Sequence, residues 1–216
     1  MTTAETDHTN LLQKPDLTED KLHAVSLMAD AIQKSLAGIA PTKTLHGSRL
    51  VKADDNYDIL GYSKDDIALS GVHTKWVDEK SHLRTQTTSV ILEGLREDAK
   101  NKPIVLLAKG MVYRRDVRDR THTGEPHQMD IWVLCRKDSP MLLDELIERV
   151  MTCHGAPYEA RDTSHPYTLN GRELNAKWQN RWLEVGECGI IHPRVLEKTG
   201  WNTDEWTGLA MGLGLD

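Results

Sequence analysis

The feature that most restricts the fold is a charged stretch held between two apolar ones. Pro103-Ile104-Val105-Leu106-Leu107 is apolar and partly β-branched, and Met129 to Cys135 (MDIWVLC) is mostly apolar with few charges. Such runs, joined by a long polar connection, predict adjacent antiparallel strands. A connection of that length inside a domain is usually either disordered or functional. It gathers Arg114, Arg115, Arg118 and Arg120 against Asp116, Asp119, Glu125 and Asp130, with His122 and His127 among them. A solvated loop laced with ion pairs is the plain alternative, so the rest of the chain must decide.

Length and composition narrow the class. A chain of 216 residues is ordinarily one domain with a full core. The hydrophobic share of 38% and charged share of 28% are those of a globular protein. With no phenylalanine against six tryptophans and five tyrosines, any aromatic wall must be built from rings with a polar handle. A net charge of -6 argues against a general nucleic-acid coat, though not against a local basic patch. Cys135, Cys153 and Cys188 are odd in number and form no CxxC pair, so neither a disulfide framework nor a structural zinc site is indicated. Cys153-His154 would need further ligands to hold a metal. No apolar run reaches membrane-span length, and MTTAETDHTN lacks a basic and apolar leader, so a cytoplasmic protein is expected.

In chain order, residues 1–15 are polar and expected to be mobile. From Asp16 to Leu36 apolar residues recur at Leu22, Val25, Met28 or Ala29, Ile32 and Leu36, which predicts an amphipathic helix capped by Asp16 with Glu19 and closed by Gly38 and Pro41. That helix either covers the sheet or pairs two copies. Residues 42–82 carry few periodic signals. Thr87 or Thr88 can cap a helix over Ser89 to Lys100, and Ser139-Pro140 can open another, MLLDELIERVM. Strand-like pieces follow at Tyr158 to Arg161, Tyr167 to Leu169 and Glu173 to Trp178, with Asn170-Gly171 read as a two-residue hairpin turn. Trp182 to Ile191 is a further strand, Pro193 to Lys198 a short helix, and Thr207 to Leu215 a Gly/Leu-rich run. Many strands with helices inserted between them read as α+β with an antiparallel sheet. Without a G-x-G-x-x-G after a strand or a Walker A sequence, the parallel nucleotide-binding folds are disfavoured.

The central stretch GMVYRRDVRDRTHTGEPHQMD resembles motif 2 of the class II aminoacyl-tRNA synthetases. In detail it is similar to the phenylalanyl-tRNA synthetase α subunit family, whose pattern runs G-x-V-F/Y-R-x-D/E, a variable loop, T-H, then F-H-Q-x-E. Leu83-Arg84-Thr85-Gln86-Thr87-Thr88 resembles that family's L-R-T-H-T-S. Trp182 to Pro193 (WLEVGECGIIHP) resembles W-L-E-x-x-G-x-G-M-V-H-P, and Gly208 to Leu215 (GLAMGLGL) resembles the opening of motif 3. The resemblance covers the chain from about residue 80 onward, four blocks in order, with a faint likeness at Asn56-Tyr57-Asp58-Ile59-Leu60.

The resemblance implies a class II synthetase core, an antiparallel sheet flanked by helices, over residues 46–216 and ending near the start of motif 3. Residues 1–45 would form a tail and the amphipathic helix. It implies ATP-dependent activation of an aromatic or polar aromatic amino acid, with transfer to tRNA or a smaller acceptor. Arg114 takes the position of the catalytic arginine, suited to the α-phosphate because a planar guanidinium stays charged and offers paired donors. Asp116, His122 and Glu184 fall at nucleotide-binding positions, Glu184 also at a Mg²⁺ position, and Arg118 or Arg120 can assist His122. Thr88, Gln128 and Asp130 fall where the substrate's polar end is held, the last two around its ammonium. His165-Pro166-Tyr167-Thr168 stands for the family's F-P-F-T, which makes His165 and Tyr167 the side-chain walls and favours a polar aromatic substrate. A homodimer is implied by class II pairing.

In the L-R-T-H-T-S block Gln86 replaces a histidine. Two further departures point to the alternative of a shortened, non-catalytic paralogue that binds an amino acid or aminoacyl group as an accessory or regulatory protein. Pro126 stands where the family has the phenylalanine that stacks on adenine. The sequence ends at Asp216, about where the motif 3 arginine is expected next, and no separate tRNA-binding domain accompanies the core.

Overall fold

The computed structural model describes residues 3–71, 73–97, 102–115 and 123–216. The two apolar runs are adjacent antiparallel strands as expected: β4 (Ile104–Met111) pairs with β5 (His127–Arg136) from Ile104↔Leu134 to Met111↔His127. They lie inside a seven-stranded sheet with β1 (Thr42–Leu45), β6 (Tyr158–Asp162), β7 (Thr168–Trp178), β8 (Arg181–Ile191) and β9 (Trp206–Gly214), in the order β1-β4-β5-β9-β8-β7-β6. Every pairing is antiparallel except the edge strand β1, which runs parallel to β4. A small second sheet joins β2 (Leu50–Lys52) to β3 (Ser81–Leu83).

Side chains alternate across the pleat, so each central strand feeds two cores. Val105, Leu107, Ile131 and Val133 pack with α2 (Ala24–Ser35) and α4 (Leu143–Met151). Ile104, Leu106, Trp132 and Leu134 face the opposite way, against α3 (Thr88–Glu97) and α5 (Pro193–Lys198). Both faces of β4 and β5 are therefore covered, which explains their nearly continuous apolar sequence. The architecture is α+β, a sheet flanked by helices.

Several expectations change. The helix proposed over Asp16 to Leu36 begins only at Ala24, where His23 caps it through its Nδ1, which accepts from the Val25 amide. Asp16 caps nothing: its carboxylate accepts from the Thr18 amide and hydroxyl and, at 2.8 Å, from the Met111 amide. Of the expected stripe, Val25, Ala29, Ile32 and Leu36 are buried, the last three in the core under this chain's own sheet, whereas Leu22 precedes the helix and is exposed. The buried part of the stripe therefore offers no apolar face to a second copy. Residues 1–15, expected to be mobile, include α1 (Thr3–Leu12), whose Leu11 packs with Leu83, Met111 and Tyr113. The fourth helix starts after Leu142 rather than at Ser139-Pro140, with no side-chain cap.

Asn170-Gly171 is not a hairpin turn. It is an irregularity inside β7, with Asn170 at φ 51° and the register shifting between Leu169 and Arg172. Gly171 is required there because a Cβ would come within 2.7 Å of the Thr163 carbonyl oxygen. The true turn is Gln179-Asn180, both at positive φ (43° and 63°), closed by the pair Trp178↔Arg181. Two positive φ values in a two-residue loop match the right-handed twist of the strands that it joins.

Candidate functional site

Register across the sheet builds the site. Residues directly opposite in an antiparallel pair share a face. Asp130 lies opposite Gly212, which lies opposite Glu187, while Gln128 lies opposite Gly214. These side chains stand on the face that carries Trp132 and Ala210. On β9 that face is bare: a Cβ at Gly212 would meet only an Asp130 carboxylate oxygen at 3.9 Å, and one at Gly214 only the Val185 carbonyl at 3.9 Å. The result is a trough floored by glycine backbone, with Gln128 and Asp130 on one bank and Glu184 and Glu187 on the other.

The placing of Glu184 and Glu187 on one bank depends on a bulge. Simple alternation would put residues three apart on opposite faces. The register shifts between Leu174 and Asn175, however, so that Leu174 faces Gly186 while Asn175 faces Glu184. Glu187, opposite Glu173, thereby joins Glu184 on the trough side. Glu187 was missed in the sequence for that reason. Burial pushes the Glu184 carboxyl up, the neighbouring Glu187 and Glu173 push it further, and Arg114 opposes them.

Asp130 is 3% exposed. One carboxylate oxygen accepts from the Thr87 hydroxyl; the other accepts from Thr88 Oγ1 at 2.8 Å and Trp132 Nε1 at 3.4 Å. Burial raises its pKa against those hydrogen bonds and the charge of Arg114. Thr88, at the start of α3, thus faces Asp130 and spends its hydroxyl there. Gln128 is half-buried on the same strand face.

Arg114 sits just beyond β4, where Val112 N–H donates to the Pro126 carbonyl and Arg114 N–H to the Gly124 carbonyl, extending the ladder into the base of the charged loop. Its Nε donates to the Thr85 carbonyl at 3.1 Å. The guanidinium is half-buried and acts electrostatically on Asp130, Glu184, Tyr62 and Tyr167. It also borders a cavity of about 220 Å³ lined by Tyr57, Tyr62, Ile67, Ala68, Thr85 and Gln86, among others. Tyr57 is fixed in that wall by Thr74 Oγ1 at 2.6 Å and Thr85 Oγ1 at 3.2 Å, and packs edge-on against Tyr62. The sequence contained no signal for Tyr62, which comes from a segment without periodicity.

His165 and Tyr167 close the far side. His165 Nε2 lies 2.8 Å from a Glu187 carboxylate oxygen. Tyr167 is nearly buried and lies parallel to Trp132, centroids 6.4 Å apart. Burial raises its phenol pKa, with Tyr62, Asp130 and Glu187 adding to the effect. The structure therefore brings Thr88, Arg114, Gln128, Asp130, His165, Tyr167 and Glu184 around one trough. Asp116, Arg118, Arg120 and His122 lie outside the described residues.

Among the described residues, no group of three or more His, Cys, Asp or Glu side chains is arranged to hold a metal ion. The mutual repulsion of Glu184 and Glu187 is nonetheless what a cation relieves. One or two carboxylates completed by phosphate oxygens and water is how Mg²⁺ is commonly held beside a nucleotide. The pair fits an ion that arrives with its nucleotide rather than a preformed metal cage.

Comparison with known proteins gives the family of the chain. The family model for the tRNA synthetases class II core domain (F) matches residues 9–216. The phenylalanine–tRNA ligase α subunit of Prochlorococcus marinus is 34% identical over 166 residues, covering 74% of this chain and 47% of the relative. That of Haemophilus ducreyi is 31% identical over 199 residues, 90% of this chain and 60% of the relative. That of Thermosynechococcus vestitus is 29% identical over 200 residues, covering 90% and 58%. The chain spans about half the length of these curated relatives, between 47% and 60%. With the family model matching residues 9–216 and a relative 34% identical over 74% of this chain, the chain belongs to the class II tRNA synthetase core domain family and is homologous to phenylalanyl-tRNA synthetase α subunits.

Proposed function

We propose that this chain is the adenylate-forming core of an ATP-dependent ligase of the phenylalanyl-tRNA synthetase type, activating an aromatic or polar aromatic amino acid and passing the acyl group to tRNA or a smaller acceptor. The observation that carries the reading is the convergence of Arg114, Asp130 and Glu184 on a trough with a bare glycine floor at Gly212 and Gly214. In the first step a carboxylate oxygen of the amino acid attacks the α-phosphorus of ATP, and the bond to the leaving pyrophosphate breaks. Negative charge on the α-phosphate is met by Arg114, whose Nε is held by the Thr85 carbonyl, so that its terminal amino groups are left to face the phosphate. Asp130 and Gln128 take the substrate ammonium. The Asp130 oxygen that accepts from the Thr87 hydroxyl takes no other hydrogen bond among the described residues and retains a lone pair for that contact, whereas the other is occupied by Thr88 and Trp132. His165 and Tyr167 bound the side chain, and Asp116 and His122 belong to the nucleotide end. When bound, Mg²⁺ neutralises phosphate charge, and Glu184 with Glu187 would hold it.

The partners proposed with this reading are the amino acid, ATP, a tRNA acceptor end or smaller acceptor, and a second copy of the chain. The three cysteines are all free, which suits the reducing cytoplasm. A second reading, a non-catalytic paralogue, is favoured by Pro126, which presents no flat aromatic face for adenine. Amino-acid-dependent exchange of pyrophosphate into ATP separates the two. Wild-type exchange reduced about a hundredfold or more by Arg114→Ala supports the ligase, and no exchange in the wild type supports the paralogue.

A further inference from the structure

The strands β7 and β8 outrun their neighbours. On one side β6 pairs β7 only as far as Ala176, with Pro157 adding one bond to Lys177; on the other, β9 pairs β8 only from Gly186. Lys177 to Glu184 therefore projects as a two-stranded ribbon closed by Gln179-Asn180. It leaves the sheet at the end where β5 begins and β9 finishes, beside the base of the charged loop.

The tip has an unusual composition for a projecting ribbon. Trp178 is 61% exposed and Trp182 40%. Each stands directly across from a cation, Trp178↔Arg181 and Lys177↔Trp182, and Lys177 Nζ lies 6.0 Å from the centre of the Trp182 ring. Away from the tip, Arg161 on β6 is paired with Glu159, and Arg172 on β7 with Asp162 on β6. Among the described residues, Lys177 and Arg181 form no such ion pair. Trp182 also shares the trough face, two residues before Glu184, which is roughly 7 Å along a strand. Exposed aromatic rings alternating with unpaired cations are what an unpaired nucleic-acid strand needs: flat faces for its bases and positive charge for its phosphates. A handful of tip residues is too small to hold a second copy, since stable interfaces bury about 800 Å² per partner.

We infer that this ribbon is a platform for single-stranded nucleic acid, on which the unpaired end of the acceptor lies as it enters the trough. The link to the acceptor rests on the ligase reading; the binding of a single strand does not. The test uses the full chain and a fluorescein-labelled single-stranded adenylate oligomer, followed by anisotropy. Trp178→Ala and Trp182→Ala are each expected to weaken binding roughly tenfold, while Lys177→Glu/Arg181→Glu should weaken it and flatten its salt dependence. Unchanged circular dichroism of these surface variants would show that the fold is kept.

Oligomer binding that is absent, or indifferent to all four substitutions, overturns the inference. So does loss of binding to phosphatidylglycerol vesicles, or of self-association in sedimentation, with no change in RNA affinity. Pyrophosphate exchange on the same proteins keeps the two readings apart. Exchange that survives Trp178→Ala while RNA binding weakens supports the platform and the ligase together. Exchange absent from the wild type, with RNA binding still tryptophan-dependent, sinks the ligase and spares the platform.

Discussion

Asp16 and Asp130 are both buried carboxylates, yet their partners set them in opposite directions. Burial pushes Asp16 up, but the Met111 and Thr18 amides and the Thr18 hydroxyl outweigh it and hold the group below its usual value of 3.8. A depressed folded pKa contributes stability that is fully present above the unfolded value and lost as pH falls through the folded one. The structure should therefore weaken as pH drops below about 4. Asp16→Asn is expected to cost about 1–3 kcal/mol at neutral pH and to flatten that acid limb, as read by urea unfolding over a pH series. An unchanged acid limb would mean that Asp16 does not tie the N-terminal arm to β4. For Asp130, burial prevails and the group is raised. Binding of an ammonium there should consequently fall off with acid at a higher pH than for an exposed aspartate. Neither direction was legible in the sequence, because each balances burial against donors that include residues far away in the chain, Met111 for Asp16 and Thr87 and Thr88 for Asp130.

The elements divide by whether local pattern or tertiary contact decides them. β4, β5 and α3 were legible because a strand buried on both faces leaves a short continuous apolar run and an amphipathic helix a period of three and four. Asn170-Gly171 misled because its turn chemistry serves an irregularity within one strand, where Gly171 admits the Thr163 carbonyl. The bulge at Val185, between Glu184 and Glu187, hid Glu187 in the same way, by breaking the alternation on which face assignments rest. β9 was legible only as Gly/Leu-rich; its glycines acquire meaning from what stands on either side. Gly212→Val tests that meaning. The added Cβ meets only an Asp130 oxygen at 3.9 Å, and valine suits a strand better than glycine by up to about 1 kcal/mol. The variant should keep or raise its Tm while its branched side chain rises into the trough. A marked drop in Tm would show that the floor is not open.

At the scale of the molecule, one sheet carries a helical layer on each face, and the site lies on the face that carries Trp132 and Ala210, where β9 is left bare at Gly212 and Gly214. The resemblance in four sequence blocks was enough to foresee that architecture. It was not enough to foresee the 220 Å³ cavity beside Arg114, whose walls come from the segment around Tyr57 and Tyr62. Pairing with a second copy, proposed above, now has to use other residues than the buried α2 stripe, and Leu22 and Leu27, 90% and 56% exposed, are available beside it. Sedimentation at micromolar concentration should give a dimer that Leu22→Ser/Leu27→Ser dissociates; a monomeric wild type would remove the second copy from the proposal. The central claim is that amino acid and nucleotide share the trough over Gly212. Its most direct test is calorimetric titration of a stable aminoacyl-adenylate analogue, the tyrosyl form, into wild type and Gly212→Val. Saturable binding to the wild type and a loss of at least about a hundredfold in the folded variant, some 2.7 kcal/mol, is the outcome predicted. Equal binding to both proteins would contradict it, since a ligand unaffected by a side chain in the middle of the trough does not lie there.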